Sequence, residues 1–154
     1  MHLTLSSDYA LRILLFLGAH PDEVVPVSRI ISAYRLSPHH VTKVAKELTR
    51  LGYVKSRRGV TGGLLLNRAP AEVRVGEIVR VMEPHLNLLE CFDLETNACP
   101  IVEACELKEV FSEAKNAFLA VLDRYTVEDL LRRRTPLVQL FHRLTTEQAL
   151  RQAD

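Results

Sequence analysis

The chain has no run of apolar residues long enough to cross a membrane. A membrane-spanning helix needs about 20 consecutive apolar residues, whereas the longest candidate, ALRILLFLGA, is much shorter and is interrupted by Arg12. The first residues, MHLTLSSDYA, lack the basic start and apolar centre of a secretory signal. With 47% hydrophobic and 25% charged residues among 154, the composition is that of a globular domain. We therefore expect a cytoplasmic protein that does not bind a membrane.

The sequence also lacks the motifs of common enzymes. It contains no glycine-rich phosphate loop and no serine, histidine and aspartate at a spacing typical of a hydrolase. Its acidic residues form no pair that differs from ordinary surface acids. We expect a protein that is not an enzyme.

Cysteine occurs only three times, and all three lie in CFDLETNACPIVEAC, as Cys91, Cys99 and Cys105. An odd number excludes a closed disulfide framework within one chain. In a reducing cytoplasm, clustered thiols more often bind metal or respond to redox change; the alternative is three unrelated, buried small side chains. The intervals of seven and five residues differ from the C-x-x-C pairs of structural zinc sites and of thioredoxin-type exchange. Such widely spaced thiols can instead hold a larger group, such as a 4Fe–4S cluster whose fourth iron takes a different ligand.

The charges are unevenly distributed, although the net charge is only +1. Residues 40–58 contain six basic residues against one acid, and residues 83–113 contain eight acids against one lysine. This asymmetry is typical of a nucleic-acid-binding region joined to a region of another kind.

The first half of the sequence predicts a helix-turn-helix. SSDYALRILLFLGAH has the pattern of a helix with a serine cap, and VSRIISAYRL predicts a short second helix. In the next segment Ser37 is the expected N-cap, Pro38 the first helical residue and Gly52 the residue past the end. The inward stripe of this third helix leaves polar and basic side chains outside. We predict that this outer face contacts base edges and phosphates through His39, His40, Thr42, Lys43 and Lys46.

A period of two then predicts a hairpin, with strands in YVKSRR and GLLLNR around GVTGG. A helix-turn-helix followed by such a hairpin is a winged helix, in which Arg57 and Arg58 would contact DNA from the wing. The alternative for these charges is a solvated helix face and a charged hairpin edge.

The second half predicts a short helix in VRVGEIVRVMEP, the cysteine loop, and a long helix in CELKEVFSEAKNAFLAVLDRY. The long helix has an apolar stripe that a second copy of the chain could cover. A further helix should start at Thr126, with Asp129 three residues on. The expected fold is mostly α with a small β wing. We divide it into a DNA-binding region at 1–83, a cluster-binding loop at 84–105, and a dimerisation helix with a C-terminal tail at 106–154.

Four segments in this order resemble the winged-helix iron–sulfur transcriptional repressors, the family that includes NsrR, IscR and RirA. They are LTLSSDYALRIL, SPHHVTKVAKELTRLGYVKSRRGVTGGLLL, VRVGEIVRVMEP and CPIVEACELKEVF. The resemblance extends from Met1 to about Leu131 and is strongest to the NsrR-type nitric-oxide sensors.

The resemblance implies that Cys91, Cys99 and Cys105 ligate a 4Fe–4S cluster, with a 2Fe–2S cluster as the alternative. It also implies that Asp8 supplies the fourth ligand from the other subunit of a homodimer. Without the resemblance, Asp8 would be only a favourable acid in the first turn of a helix. His85 is the competing fourth ligand. IscR-type members use a histidine three residues after the last cysteine, where this chain has Lys108.

The function implied is repression of transcription from a palindromic operator in double-stranded DNA. The protein would release this operator when nitric oxide nitrosylates the cluster. The alternatives are an iron-availability or redox sensor of the same family, a zinc-binding regulator with the same winged helix, and a metal-free thiol switch.

Overall fold

The computed structural model describes residues 2–93 and 95–151. The described chain is mostly helical, with one two-stranded antiparallel sheet, as the sequence predicts. The helices are α1 (Leu5–Ala19), α2 (Val27–Tyr34), α3 (Pro38–Arg50), α4 (Val75–Met82), α5 (Glu106–Asp123), α6 (Val127–Leu130) and α7 (Arg134–Arg151); the strands are β1 (Val54–Arg57) and β2 (Gly63–Leu66). None of the helices in these residues has the length and hydropathy that crossing a membrane requires.

The first helix is capped by Thr4, so the prediction of a serine cap was wrong. The Thr4 side chain accepts a hydrogen bond from the Ser7 backbone N–H at 3.4 Å. Ser7 instead lies inside the helix and is completely buried, and its hydroxyl donates a hydrogen bond to Glu83. A polar side chain is buried at low cost when it has such a partner.

The helix-turn-helix is formed by α2 and α3, and both predicted helices are confirmed. Ser37 occupies the N-cap position of α3 and Pro38 its first position, although the Ser37 side chain makes no capping hydrogen bond. Arg35 adopts the left-handed conformation (φ 54°) at the end of α2 and so turns the chain towards α3. Gly52 follows α3 with φ 79°, a conformation that glycine adopts without strain.

The predicted wing is also present. Strands β1 and β2 pair in register from Val54 opposite Leu66 to Arg57 opposite Gly63. Val54 and Leu64 are buried and anchor the base of the hairpin, while residues 55–61 at its outer part are exposed. Val25 bridges Leu64 and so attaches the hairpin to the segment before α2.

Helices α4 and α5 lie against each other, and most of the apolar stripe of α5 remains uncovered. Arg80 of α4 donates two hydrogen bonds of 2.6 Å to the Asp123 carboxylate at the end of α5. Only Leu119 of α5 is buried. Leu107 and Val110, which belong to the predicted stripe, are 53% and 58% exposed. The single chain therefore leaves an apolar helix face in contact with water.

The C-terminal helix returns to the N-terminal core. Phe141 of α7 is 3% exposed, and its ring centroid lies 4.7 Å from that of Phe16 and 5.2 Å from that of Tyr34. Before it, α6 begins with the predicted cap: Thr126 accepts from the N–H of Asp129, and Asp129 accepts from that of Thr126. Arg134 Nε donates to the Ala19 carbonyl at the end of α1, at 3.0 Å. The tail is therefore part of the same hydrophobic core as the helix-turn-helix.

Replacing Phe141 with alanine should lower the free energy of unfolding by about 3–5 kcal/mol, because it leaves a cavity among aromatic rings. Leu140→Ala, on the outer face of the same helix and 39% exposed, should cost less than about 1 kcal/mol. Denaturant titration at one fixed protein concentration measures both. Equal, small losses would show that α7 does not contribute to the core.

Candidate DNA-binding surface and cysteine loop

The outer face of α3 is arranged as predicted. Its inner residues Val41, Val44 and Leu48 are buried, because they are spaced three and four residues apart and share one side of the helix. The predicted contact residues are all exposed: His39, His40, Thr42, Lys43 and Lys46. The Thr42 hydroxyl donates to the Pro38 carbonyl at 2.8 Å, so its oxygen remains available as an acceptor.

His40 has a specific neighbour that the sequence did not indicate. Its ring lies edge-on to the Tyr9 ring of α1, with centroids 6.3 Å apart, and 5.6 Å from the ring of His39. Tyr9 is 9% exposed and belongs to the core. The start of α3 is therefore in direct contact with the residue that follows Asp8.

Helix α3 and the wing border one groove. Thr42 and Lys46 line it from the helix side, and Ser56 lines it from the wing. Arg57 and Arg58 are exposed on the same hairpin. A basic helix face and a basic wing that share one groove can contact adjacent phosphates of a duplex.

One of the basic residues counted in the sequence is already neutralised. Arg50 forms a two-point contact with Glu47, with nitrogen–oxygen distances of 2.6 and 3.0 Å. The hydrogen bonds from Arg50 lower the pKa of the Glu47 carboxyl. The positive surface of α3 is thus formed mainly by Lys43 and Lys46.

A polar cluster at the base of the wing was not found from the sequence. Tyr53 donates to Glu77 of α4 at 2.6 Å, and Arg68 donates to the same oxygen at 2.9 Å. Burial opposes ionisation of Glu77, but the hydrogen bonds from Tyr53 and Arg68 outweigh it and lower the pKa of this carboxyl. Burial, and then the contact with Glu77, raise the pKa of Tyr53 to about 12. The cluster attaches the wing to α4 through residues far apart in the chain.

The three cysteines lie on a loop with little regular structure. Cys91 is buried within a single helical turn at Glu90–Phe92, whereas Cys99 and Cys105 are partly exposed. All three are free thiols. Cys105 is the N-cap residue of α5, so its thiol lies at the point where the loop meets that helix.

The chemistry of these donors fits an iron–sulfur cluster, because free thiols on one loop can each bind a separate iron. The described part of the chain does not bring three histidine, cysteine or acidic side chains together around a single ion. Short-range contacts hold the loop: the N–H of Ala98 donates to Glu90 at 2.8 Å, and that of Cys99 to the Asn97 side chain at 3.1 Å. The donors are thus near one another in sequence without being gathered at one point.

The two candidates for the fourth ligand have different surroundings. Asp8 is 39% exposed on α1, and its Oδ1 accepts a hydrogen bond from Arg12 Nε at 2.8 Å. His85 is exposed, and its Nδ1 accepts only a long hydrogen bond, 3.4 Å, from the Asn87 N–H. Arg12 would have to release the Asp8 side chain before Asp8 could bind a metal.

A helix-turn-helix with a basic recognition face and an attached hairpin defines a winged-helix DNA-binding protein. Residues 3–133 match the family described as "Rrf2: Iron-dependent Transcriptional regulator". The chain belongs to the Rrf2 family of transcriptional regulators; it is a DNA-binding regulator and not an enzyme.

Similar proteins include regulators named NsrR. The chain is 43% identical over 149 residues to "HTH-type transcriptional regulator NsrR" of Shouchella clausii, covering 96% of this chain and 100% of that protein. It is 43% identical over 141 residues to the Bacillus subtilis protein of the same name, covering 91% and 97%. The resemblance to NsrR-type regulators seen in the sequence is confirmed.

Solved structures share the fold. The T. potens IscR structure has a TM-score of 0.69 and 28% identity, covering 86% of this chain and 88% of that one. The B. subtilis CymR structure, titled the global cysteine regulator, also has a TM-score of 0.69, with 26% identity and coverages of 84% and 95%.

The wing arginines provide a test of the DNA-binding surface. Arg57→Ala and Arg58→Ala should each weaken operator binding and lower the slope of log K against log salt by about 0.9, because each lost phosphate contact releases one counterion fewer. Arg132→Ala removes the same charge just after α6, where the side chain pairs with Asp129, and should leave the slope unchanged. Titrations at several salt concentrations measure the slopes. Unchanged slopes for both wing variants would place the DNA surface elsewhere.

Proposed function

We propose that this protein is a homodimeric repressor whose iron–sulfur cluster senses nitric oxide and controls binding to a palindromic operator. The observation that carries the proposal is the position of the cysteine loop. In the chain it connects the winged-helix region to α5, a helix with an uncovered apolar face. A group bound by this loop would therefore restrain the segment that joins the two parts of the protein.

The uncovered face of α5 supports a two-fold dimer. Its exposed apolar residues include Leu107, Val110 and Val121. The same face on a second chain is the simplest cover, since a two-fold interface uses one surface twice. Two winged helices would then read two half-sites about 34 Å apart.

The proposed ligands are Cys91, Cys99 and Cys105 of one subunit and Asp8 of the other. A bound 4Fe–4S cluster, or a 2Fe–2S cluster as the alternative, would supply iron that reacts with nitric oxide. Asp8 must exchange its hydrogen bond with Arg12 for this role. Cys105 links the loop directly to α5 because it is the N-cap residue that precedes the helix.

Control of DNA binding requires that the cluster bind more tightly to the conformation of the dimer that binds the operator than to the other conformation. Once Asp8 is free it can pair with Arg12 again, and the link from the loop to the other subunit is lost. The distance between the two α3 helices is then no longer held by the loop, and operator affinity falls.

An iron-availability or redox sensor is the second candidate. The description of the matching family as iron-dependent regulators favours it, and the same four ligands would serve. Lys108 lies where IscR-type proteins have a histidine ligand, and this difference favours a nitric-oxide sensor over an IscR-type protein.

Operator binding by anaerobically purified protein tests the function. Protein with its cluster should shift a palindromic operator in a gel, and nitric oxide should abolish the shift at the same protein concentration. Iron depletion and air, applied separately, test the second candidate. Equal binding before and after nitric oxide would contradict the proposal.

Variants at Asp8 and His85 test the fourth ligand. Asp8→Ala should bind the cluster less stably and change its visible absorption spectrum, because one iron loses its protein ligand. His85→Ala should retain the spectrum of the unmodified protein. The reverse result would make His85 the ligand.

A further inference from the structure

One carboxylate joins the start of the cysteine loop to the first turn of α1. Glu83 follows the last residue of α4 and immediately precedes residues 84–105. Its Oε1 accepts from the Thr4 N–H at 2.8 Å and from the Thr4 hydroxyl at 3.0 Å, and it also accepts from the Ser7 hydroxyl. These hydrogen bonds connect Glu83 to Thr4, which is 79 positions away in the chain, and to Ser7, which is 76 positions away.

These hydrogen bonds are partly buried. Ser7 is fully buried and Glu83 is half-buried. Burial opposes ionisation of Glu83, but the hydrogen bonds from Ser7 and Thr4 outweigh it and lower the pKa of the carboxyl. Hydrogen bonds to a carboxylate are about twice as strong as those between neutral groups, so this contact holds the two segments firmly together.

The same turn of α1 leads directly to the DNA-binding face. Asp8 follows Ser7, and its N–H donates to the Thr4 carbonyl at 3.1 Å. Tyr9 follows Asp8, and its ring touches His40 at the start of α3. The contacts of Glu83, the first turn of α1 and Tyr9 thus form a continuous connection from the start of the cysteine loop to His40 of the recognition helix.

We propose that Glu83 is the positioning residue that couples the cysteine loop to the recognition helix through the first turn of α1. This inference rests on the proposed function, because it concerns how the state of the loop changes operator affinity. It assigns Glu83 no role as a ligand.

Glu77 provides a matched control. Glu77 lies on α4, the helix that ends just before Glu83. Its carboxylate also accepts two hydrogen bonds, one from the Tyr53 hydroxyl and one from the Arg68 guanidinium. Its partners are at the base of the wing and not in α1. A variant at Glu77 therefore loses a similar contact without breaking the connection between loop and α1.

The experiment compares operator affinity with and without the cluster for the unmodified protein, Glu83→Ala, Glu83→Gln and Glu77→Ala. The ratio of the two affinities measures the coupling, and such ratios typically lie between about 5 and 150. Glu83→Ala should bring the ratio close to 1. Glu83→Gln keeps an oxygen that can accept the same hydrogen bonds without the charge, and its ratio should lie between those of Glu83→Ala and the unmodified protein. Glu77→Ala should keep the ratio of the unmodified protein, even if operator affinity falls by the same factor with and without the cluster.

A second measurement needs no cluster. In the cluster-free protein, Glu83→Ala should accelerate amide hydrogen exchange at Ser7 and Asp8 by about tenfold or more, because a hydrogen bond to a charged group is lost. Glu83→Gln, which keeps the acceptor but loses the charge, should exchange more slowly than Glu83→Ala and faster than the unmodified protein. If Glu83→Ala does not fold, Ser7→Ala removes one of the same hydrogen bonds and should lower the ratio in the same direction.

The outcomes separate the two proposals. An unmodified protein with a ratio of 1 would overturn the proposed function, and this inference with it. A normal ratio in the unmodified protein, together with an equal ratio in Glu83→Ala, would overturn the role of Glu83 alone. An equal loss in Glu83→Gln and Glu83→Ala would also overturn it, because the acceptor is retained in the glutamine variant.

Discussion

The burial of α1 is the constraint on which the other parts of this structure depend. Ile13, Leu14 and Phe16 are fully buried, and the helix contacts α3, α4, α6, α7 and β2. Such a helix cannot shift without disturbing several neighbours, because protein interiors are close-packed. Its first turn also carries Asp8 and the contacts with Glu83 and His40. A single rigid element therefore borders both the cysteine loop and the DNA-binding face.

The winged helix and the second half of the chain differ in how far one chain buries their apolar faces. The winged helix is complete within one chain: its inner faces are buried, and its basic residues point outward. The face of α5 is still exposed, and within residues 2–93 and 95–151 the thiols do not form part of a three-ligand site for a single ion. Both features are understandable if a second chain and a bound group complete this half of the protein, as we propose.

Much of the local structure could be predicted from the sequence because it depends on near neighbours. The pattern of Ser37, Pro38 and Gly52 correctly placed α3, and Thr126 with Asp129 placed the start of α6. Alternation around the glycines correctly indicated the wing. The cap of α1 was misplaced because Ser7 has a partner 76 residues away, which no local pattern contains.

The sequence alone determined the class of fold, the basic face of α3 and the grouping of the cysteines, since these follow from the order and spacing of residue types. Only the tertiary structure decided that Arg50 is paired with Glu47, that α7 joins the core through Phe141, and that Glu83 holds the first turn of α1. The last two depend on which distant segments meet when the chain packs. The pairing of Arg50 with Glu47 depends on side-chain conformation, because the Glu47 side chain could equally have pointed into water. Periodicity determines which face of a helix is buried, but the partner of each polar group is chosen by the packed chain as a whole.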